Sequence, residues 1–109
     1  QALAKKGVAI LTCGHAFSGA EKAAARIGGG APLALVAQTL RLFGQGTKVA
    51  VEIVLMAADA GLLSGRDVIA IGGTAAGADT ALVIAPAHQG DMFSLRVREI
   101  ICKPRDFGE

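Results

Sequence analysis

Three short apolar runs constrain the fold of this chain more than any other feature. They lie within Gly7–Cys13, Asp67–Ile71 and Asp79–Ile84. Each run is far shorter than the ~20 residues that an apolar helix needs to cross a bilayer. Short continuous apolar runs beside glycines are typical of strands buried in a parallel sheet. The sequence therefore predicts a buried sheet and no membrane association.

Helical signals separate the first run from the other two. Ser18 is a candidate N-cap for a short helix over Gly19–Ile27. Pro32 suits the first turn of a second helix. A third helix is predicted over Thr47–Ala60, which is apolar on most of its circumference, with Gly61 closing it.

The end of the chain predicts a strand of a different kind. Leu95–Cys102 alternates apolar and charged residues, which indicates an edge or antiparallel strand with one solvated face. Helices between the early strands, followed by strands in succession, predict a three-layer α/β/α sandwich with a mainly parallel mixed sheet. The 109 residues suffice for one domain over 1–109.

Composition limits which partners and which cellular compartment we expect for this protein. The net charge is only +2, the basic residues are scattered, and Trp and Tyr are absent. This argues against a nucleic-acid partner, which requires a basic patch or stacking aromatics. Cys13 and Cys102 lack the spacing of a metal site, so we expect buried free thiols, no bound metal and a cytoplasmic protein.

A first candidate ligand loop follows the first apolar run. Thr12, Gly14, His15 and Ser18 place hydroxyls and an imidazole at a strand end and a helix start. Ligands of α/β proteins bind at such places, where helix N-termini present unpaired N–H groups. The same residues also suit a capped turn without ligand, and the two interpretations stay open.

A second candidate loop opens the long helix. Gly46, Thr47 and Lys48 combine a flexible backbone, a hydroxyl and a positive charge at a helix N-terminus, which favours anions. The glycine spacing does not match the Walker loop of nucleoside triphosphatases. The alternative is that Thr47 caps the helix and Lys48 pairs with Glu52 one turn later.

A third candidate loop is the glycine-rich stretch between the second and third apolar runs. Its spacing fails the dinucleotide fingerprint, but small residues would let the backbone wrap a phosphate or carboxylate. Asp79 is expected to brace the loop through backbone hydrogen bonds. The candidate ligand-binding residues are Gly72, Gly73, Thr74, Gly77, Asp79 and Thr80.

The segments GGTAAGADTALVIAPAH and EIICKPR carry a resemblance that extends over most of residues 40–105 and includes the loop at Gly14–Glu21. They resemble uncharacterised bacterial and archaeal proteins grouped with the C-terminal domain of pyruvate kinase. The resemblance implies the three-layer fold and, by analogy with a sugar-bisphosphate site, a phosphorylated ligand at the third loop. It also implies that an upstream strand and helix of these proteins are lacking here. Because the catalytic barrel has no counterpart, pyruvate kinase activity is not expected.

These patterns lead to one main hypothesis and two alternatives. The main hypothesis is a small-molecule-binding domain for a phosphorylated metabolite or mononucleotide, with flavin mononucleotide among the candidates. One alternative is an enzyme that uses His15 as acid or base, with His88 nearby. The other is a structural assembly module that forms a homo-oligomer, in which an exposed sheet edge and apolar helix faces pair with another chain.

Overall fold

The computed structural model describes residues 5–14 and 31–107. In this part of the chain the strands form one sheet in the order β1-β2-β3, and both strand pairs are antiparallel. None of the described helices is long and apolar enough to cross a membrane. The elements are α1 (Ala31–Arg41), α2 (Gln45–Asp59), β1 (Val68–Thr74), β2 (Gly77–Ala85), a 3-10 helix (Gln89–Ser94) and β3 (Arg96–Cys102).

The two helices form where the sequence predicts them. Pro32 lies in the first turn of α1, and α2 covers nearly all of the predicted third helix. Gly61 follows the C-cap of α2 with φ +74 and donates its N–H to the Ala58 carbonyl at 3.0 Å. Leu62 donates to the Ala57 carbonyl at 3.0 Å. This pair of bonds is the Schellman motif, which explains why the helix ends at a glycine.

A tight hairpin joins β1 and β2. Thr74 pairs with Gly77, so only Ala75 and Ala76 form the turn. The Ala76 N–H donates to Thr74 Oγ1 at 3.1 Å. Gly72 pairs with Thr80 and Gly73 with Ala78, which leaves Asp79 as an extra residue, a bulge on β2. Most of the predicted third loop is therefore strand.

The core lies between α2 and one face of the sheet. Val54 and Leu55 of α2 belong to the same buried cluster as Ala70, Leu82 and Ile84 of the sheet. Burial alternates along β2, as expected for a strand covered on one face only. Val36 and Leu40 of α1 also pack against this cluster.

The predicted three-layer α/β/α sandwich with a mainly parallel sheet is wrong. The described sheet is antiparallel throughout, and exposed isoleucines alternate with buried residues along β1. Ile69 and Ile71 are exposed, so the absence of charged residues from β1 does not mean that both of its faces are buried. A two-residue turn then suffices to connect β1 to β2, where a parallel pair would need a long crossover.

The first predicted strand is also absent. Residues 8–14 lie outside helices and strands, and Val8, Ile10 and Leu11 are exposed. The predicted helix over Gly19–Ile27 lies outside the described residues. The later strands form where the apolar runs predict them, although β1 and β2 extend into the predicted third loop, and β3 is the antiparallel edge strand predicted at the end of the chain. All seven β3 residues are exposed, so the prediction that only one of its faces is solvated is wrong.

Candidate functional site

A hollow of about 590 Å³ lies at β1, where the start of α2 meets the hairpin. Its polar side chains are Gln45 and Thr74, and the strand contributes mainly glycine backbone. Val49 and Ile71 provide apolar surface. The lining residues are Gln45, Val49, Ile71, Gly72, Gly73, Thr74, Ala75, Gly77 and Ala78.

The floor of this region depends on two glycines that let α2 approach the sheet. A Cβ at Gly72 would overlap the Gly46 carbonyl oxygen and lie 2.9 Å from the Ala50 nitrogen. A Cβ at Gly46 would overlap Thr80 Oγ1 and lie 2.5 Å from Asp79 Oδ1. Both glycines are buried. Gly46 therefore serves close packing and does not line the hollow, whereas Gly72 serves packing and also lines it.

Two further glycines shape the hairpin side. A Cβ at Gly73 would overlap the Gly77 carbonyl oxygen, and Gly77 has φ +124, a conformation that side chains disfavour. Together with Gly72 and Thr74, these residues were predicted to bind a ligand, and the structure brings all four to the hollow. The hairpin alone accounts for two of the glycines, because a Cβ would clash at Gly73 and a side chain would strain the backbone at Gly77.

The bulge places a carboxylate close to the start of α2. Thr80 is buried and donates its hydroxyl to Asp79 Oδ1 at 2.7 Å. The observed partner of the Asp79 side chain is thus a hydroxyl and not the predicted backbone N–H groups. Because Asp79 Oδ1 lies near Gly46 in the first turn of α2, its negative charge is favourably placed against the helix dipole.

Lys48 contributes its charge to a buried ion pair. Lys48 Nζ lies 2.9 Å from Glu52 Oε1, and their side chains are 7% and 0% exposed. The alternative interpretation, pairing within the helix, is confirmed. Thr47 does not cap α2, because its hydroxyl donates to the Phe43 carbonyl at 3.1 Å and the N-cap is Gly44. Neither side chain lines the hollow.

The first predicted loop contributes nothing to this site among the described residues. Thr12 and Gly14 are exposed and lie outside the lining of the hollow. His15 and Ser18 lie outside the described residues. Sequence reasoning missed Gln45 and Val49, although the signal was present: Gln45 sits between the two glycines of the second loop, and Val49 follows it by one helical turn.

His88 belongs to the opposite end of α2. Its Nδ1 lies 3.0 Å from Asp59 Oδ1, which also accepts the Gln89 N–H at 3.1 Å. Since a helix rises about 1.5 Å per residue, Asp59 lies about 20 Å along α2 from Gly46. His88 is an exposed loop residue, as predicted, and is remote from the hollow.

The two cysteines and the possible metal ligands were also part of the sequence predictions. Cys13 and Cys102 are free but exposed, so the predicted burial of the thiols is wrong. In residues 5–14 and 31–107 no group of three or more His, Cys, Asp or Glu side chains could hold a metal ion.

No protein-family model matches the sequence. The resemblance to the pyruvate kinase C-terminal domain therefore stays a hypothesis.

Proposed function

We propose that this chain is a small-molecule-binding domain for a phosphorylated metabolite or mononucleotide, flavin mononucleotide included, and that the hollow at β1 is its binding site. The observation that carries the proposal is the meeting of a helix N-terminus with a glycine-lined strand at a hollow of about 590 Å³. That volume is within the ~300–1,000 Å³ range of small-molecule sites.

The groups at the hollow suit a ligand with one anionic and one apolar part. The first turn of α2 has no side-chain cap at Gly44, and helix N-termini attract anions through their unpaired N–H groups. Gln45 and Thr74 add an amide and a hydroxyl that can bind ribose or phosphate oxygens. Val49 and Ile71 can contact a base or ring.

Charge limits which anion can enter. Lys48 is committed to Glu52, and Asp79 adds negative charge near the helix start. No charged side chain of the described residues lines the hollow, and a cation beside it, Arg41, donates its Nε–H to Gln45 Oε1 at 3.0 Å, so we expect weak binding of a phosphomonoester. We infer a metabolite sensor with affinity in the micromolar to millimolar range and no pyruvate kinase activity. The two free cysteines support a reducing compartment, and we place the protein in the cytoplasm.

The test uses ribose 5-phosphate, AMP, flavin mononucleotide and inorganic phosphate as titrants in isothermal calorimetry and thermal unfolding. A ligand at 100 times its Kd should stabilise the protein by about 2.7 kcal/mol. Thr74→Val should weaken binding, because it removes the hydroxyl at the hollow. Thr39→Val is the matched control, since Thr39 is exposed on α1 and its hydroxyl donates to the Leu35 carbonyl, away from the hollow. Absence of any binding would refute the proposal.

A second candidate function is assembly with another chain. The observation that favours it is the exposure of Ile69 and Ile71 along a strand at the edge of the described sheet. Exposed apolar edge strands pair readily with other strands. The remaining alternative, acid–base catalysis by His15, concerns a residue outside the described part of the chain, and no described contact favours it.

A further inference from the structure

The two edges of the described sheet differ in how well they resist pairing with another strand. β3 carries Arg96, Arg98 and Glu99, and its register with β2 shifts twice. Charged residues and bulges are the usual protection of an edge strand. β3 is therefore a protected edge.

β1 lacks this protection from Val68 to Gly72, because its single register shift with β2 lies between Gly72 and Gly73. Its sequence, VIAIGGT, contains no charged residue, and its register with β2 is regular from Val68 to Gly72. Ile69 is 65% and Ile71 58% exposed. No described residue pairs with its outer edge. An edge of this kind presents free backbone N–H and C=O groups beside apolar side chains, which is the template for an added strand.

The same chain contains a segment with the properties of such a strand. Residues 8–13 are VAILTC, without charge, and they lie outside the helices and strands of the described chain. Val8, Ile10 and Leu11 are each more than 40% exposed. At about 3.3 Å per residue, six residues span nearly the length of the seven-residue strand β1.

We propose that β1 is a strand-acceptor edge and that residues 8–13 of a second copy of this chain pair with it. The donor comes from another copy because the segment of the same molecule lies outside the sheet. Each copy carries one donor and one acceptor, so two copies can exchange segments reciprocally and close a two-fold dimer.

The local shape of β1 accommodates the added strand. Gly72 and Gly73 line the hollow, which provides open space beside this part of β1. A strand paired with Val68–Gly72 would lie in the plane of the sheet beside Ile69 and Ile71, and it would narrow the hollow that Ile71 and Gly72 line. The inference rests on the assembly candidate and does not depend on ligand binding.

The first test is the mass of the full chain by light scattering without ligand. We expect twice the mass of one chain, and Ile69→Lys should raise the dimer dissociation constant by about tenfold or more, because lysine protects edge strands. Ile101→Lys is the matched control on exposed β3 and should leave the dimer intact. Circular dichroism checks that both variants are folded. A monomeric wild type, or a dimer that Ile69→Lys leaves unchanged, overturns the proposal.

A second test identifies the two segments in contact. One preparation carries Cys102→Ser and keeps Cys13, and the other carries Cys13→Ser, Cys102→Ser and either Val68→Cys or Thr74→Cys, one at each end of β1. Mixing under oxidising conditions should produce a disulfide-linked heterodimer with one of the two β1 variants. The control partner carries Thr39→Cys on α1. Crosslinking no greater than with that control overturns the proposal, even if the protein is dimeric.

Discussion

The Gly46 carbonyl oxygen lies so close to Gly72 that the strand cannot carry a Cβ at that position without a shift of the backbone. The contact joins the first turn of α2 to the middle of the hairpin, two segments that are 26 positions apart in sequence. It places the helix N-terminus at the hollow, so the geometry of the candidate site depends on it.

The first prediction concerns this contact. Gly72→Ala should destabilise the fold by about 1–3 kcal/mol, the usual cost of overpacking a tightly packed position. Gly90→Ala is the control, because nothing lies within 4 Å of a Cβ there and its φ is not positive. Urea unfolding monitored by circular dichroism measures both. Equal stability of the two variants would show that the helix start can move away from β1 without cost.

The second prediction concerns the ion pair between Lys48 and Glu52. Both side chains are buried, so Lys48→Met should destabilise the fold by about 1–3 kcal/mol, because it removes a cation that lies 2.9 Å from Glu52 Oε1. The loss in the double variant Lys48→Met with Glu52→Leu should be smaller than the sum of the two single losses, and the difference measures the coupling between the two side chains. Denaturant unfolding of single and double variants forms the measurement.

The exposed pair of Arg98 and Asp67 is the matched control for this experiment. Arg98 Nε lies 2.9 Å from Asp67 Oδ2, a separation like that of the buried pair, but both side chains are about half exposed. Solvent screens such pairs, so Asp67→Asn should cost less than about 1 kcal/mol. If the buried and exposed pairs cost the same, burial is not what makes the Lys48–Glu52 pair important.

The helices could be predicted from local signals, whereas the sheet could not. Pro32 affects the start of α1 and Gly61 the end of α2, and each affects only the backbone within a few residues. The bounds of these helices therefore follow closely from the sequence. The direction of strand pairing depends on which faces of β1 are covered, and an uncharged run such as Val68–Ile71 looks the same whether one or two faces are buried. That ambiguity led to the wrong three-layer prediction.

Only part of the candidate site could be predicted, because its geometry also depends on contacts between residues that are distant in sequence. Glycines indicate that the backbone has an unusual role, and four residues predicted in the third loop line the hollow: Gly72, Gly73, Thr74 and Gly77. Which role each glycine has depends on nonlocal contacts: Gly46 admits the Thr80 and Asp79 side chains, and Gly73 admits the Gly77 carbonyl. Local sequence patterns do not contain these distances. From the sequence, Lys48 could either bind an anionic ligand or pair with Glu52. The observed contact between Lys48 and Glu52 supports the second interpretation.

The third prediction separates the hollow from the distant histidine. His88→Ala should leave the affinity for ribose 5-phosphate or AMP unchanged, because His88 contacts Asp59 at the far end of α2. The same titration of Thr74→Val should show weaker binding, because that hydroxyl lines the hollow. The opposite ranking of the two variants would move the ligand site to the end of α2 where His88 lies.

The fourth prediction concerns the charge of Asp79. Asp79→Asn keeps an oxygen that can accept the Thr80 hydroxyl but removes the negative charge near the start of α2. Because the group is exposed, the repulsion removed is on the order of 1 kcal/mol, so a phosphomonoester should bind about fivefold more tightly. The gain should shrink at high salt, which screens exposed charges. Asp91→Asn, an exposed carboxylate on the 3-10 helix, should have no effect in the same calorimetric titration. If Asp79→Asn instead weakens binding, the carboxylate itself contacts the ligand, and the preferred ligand is one that donates hydrogen bonds to it, such as a ribose hydroxyl.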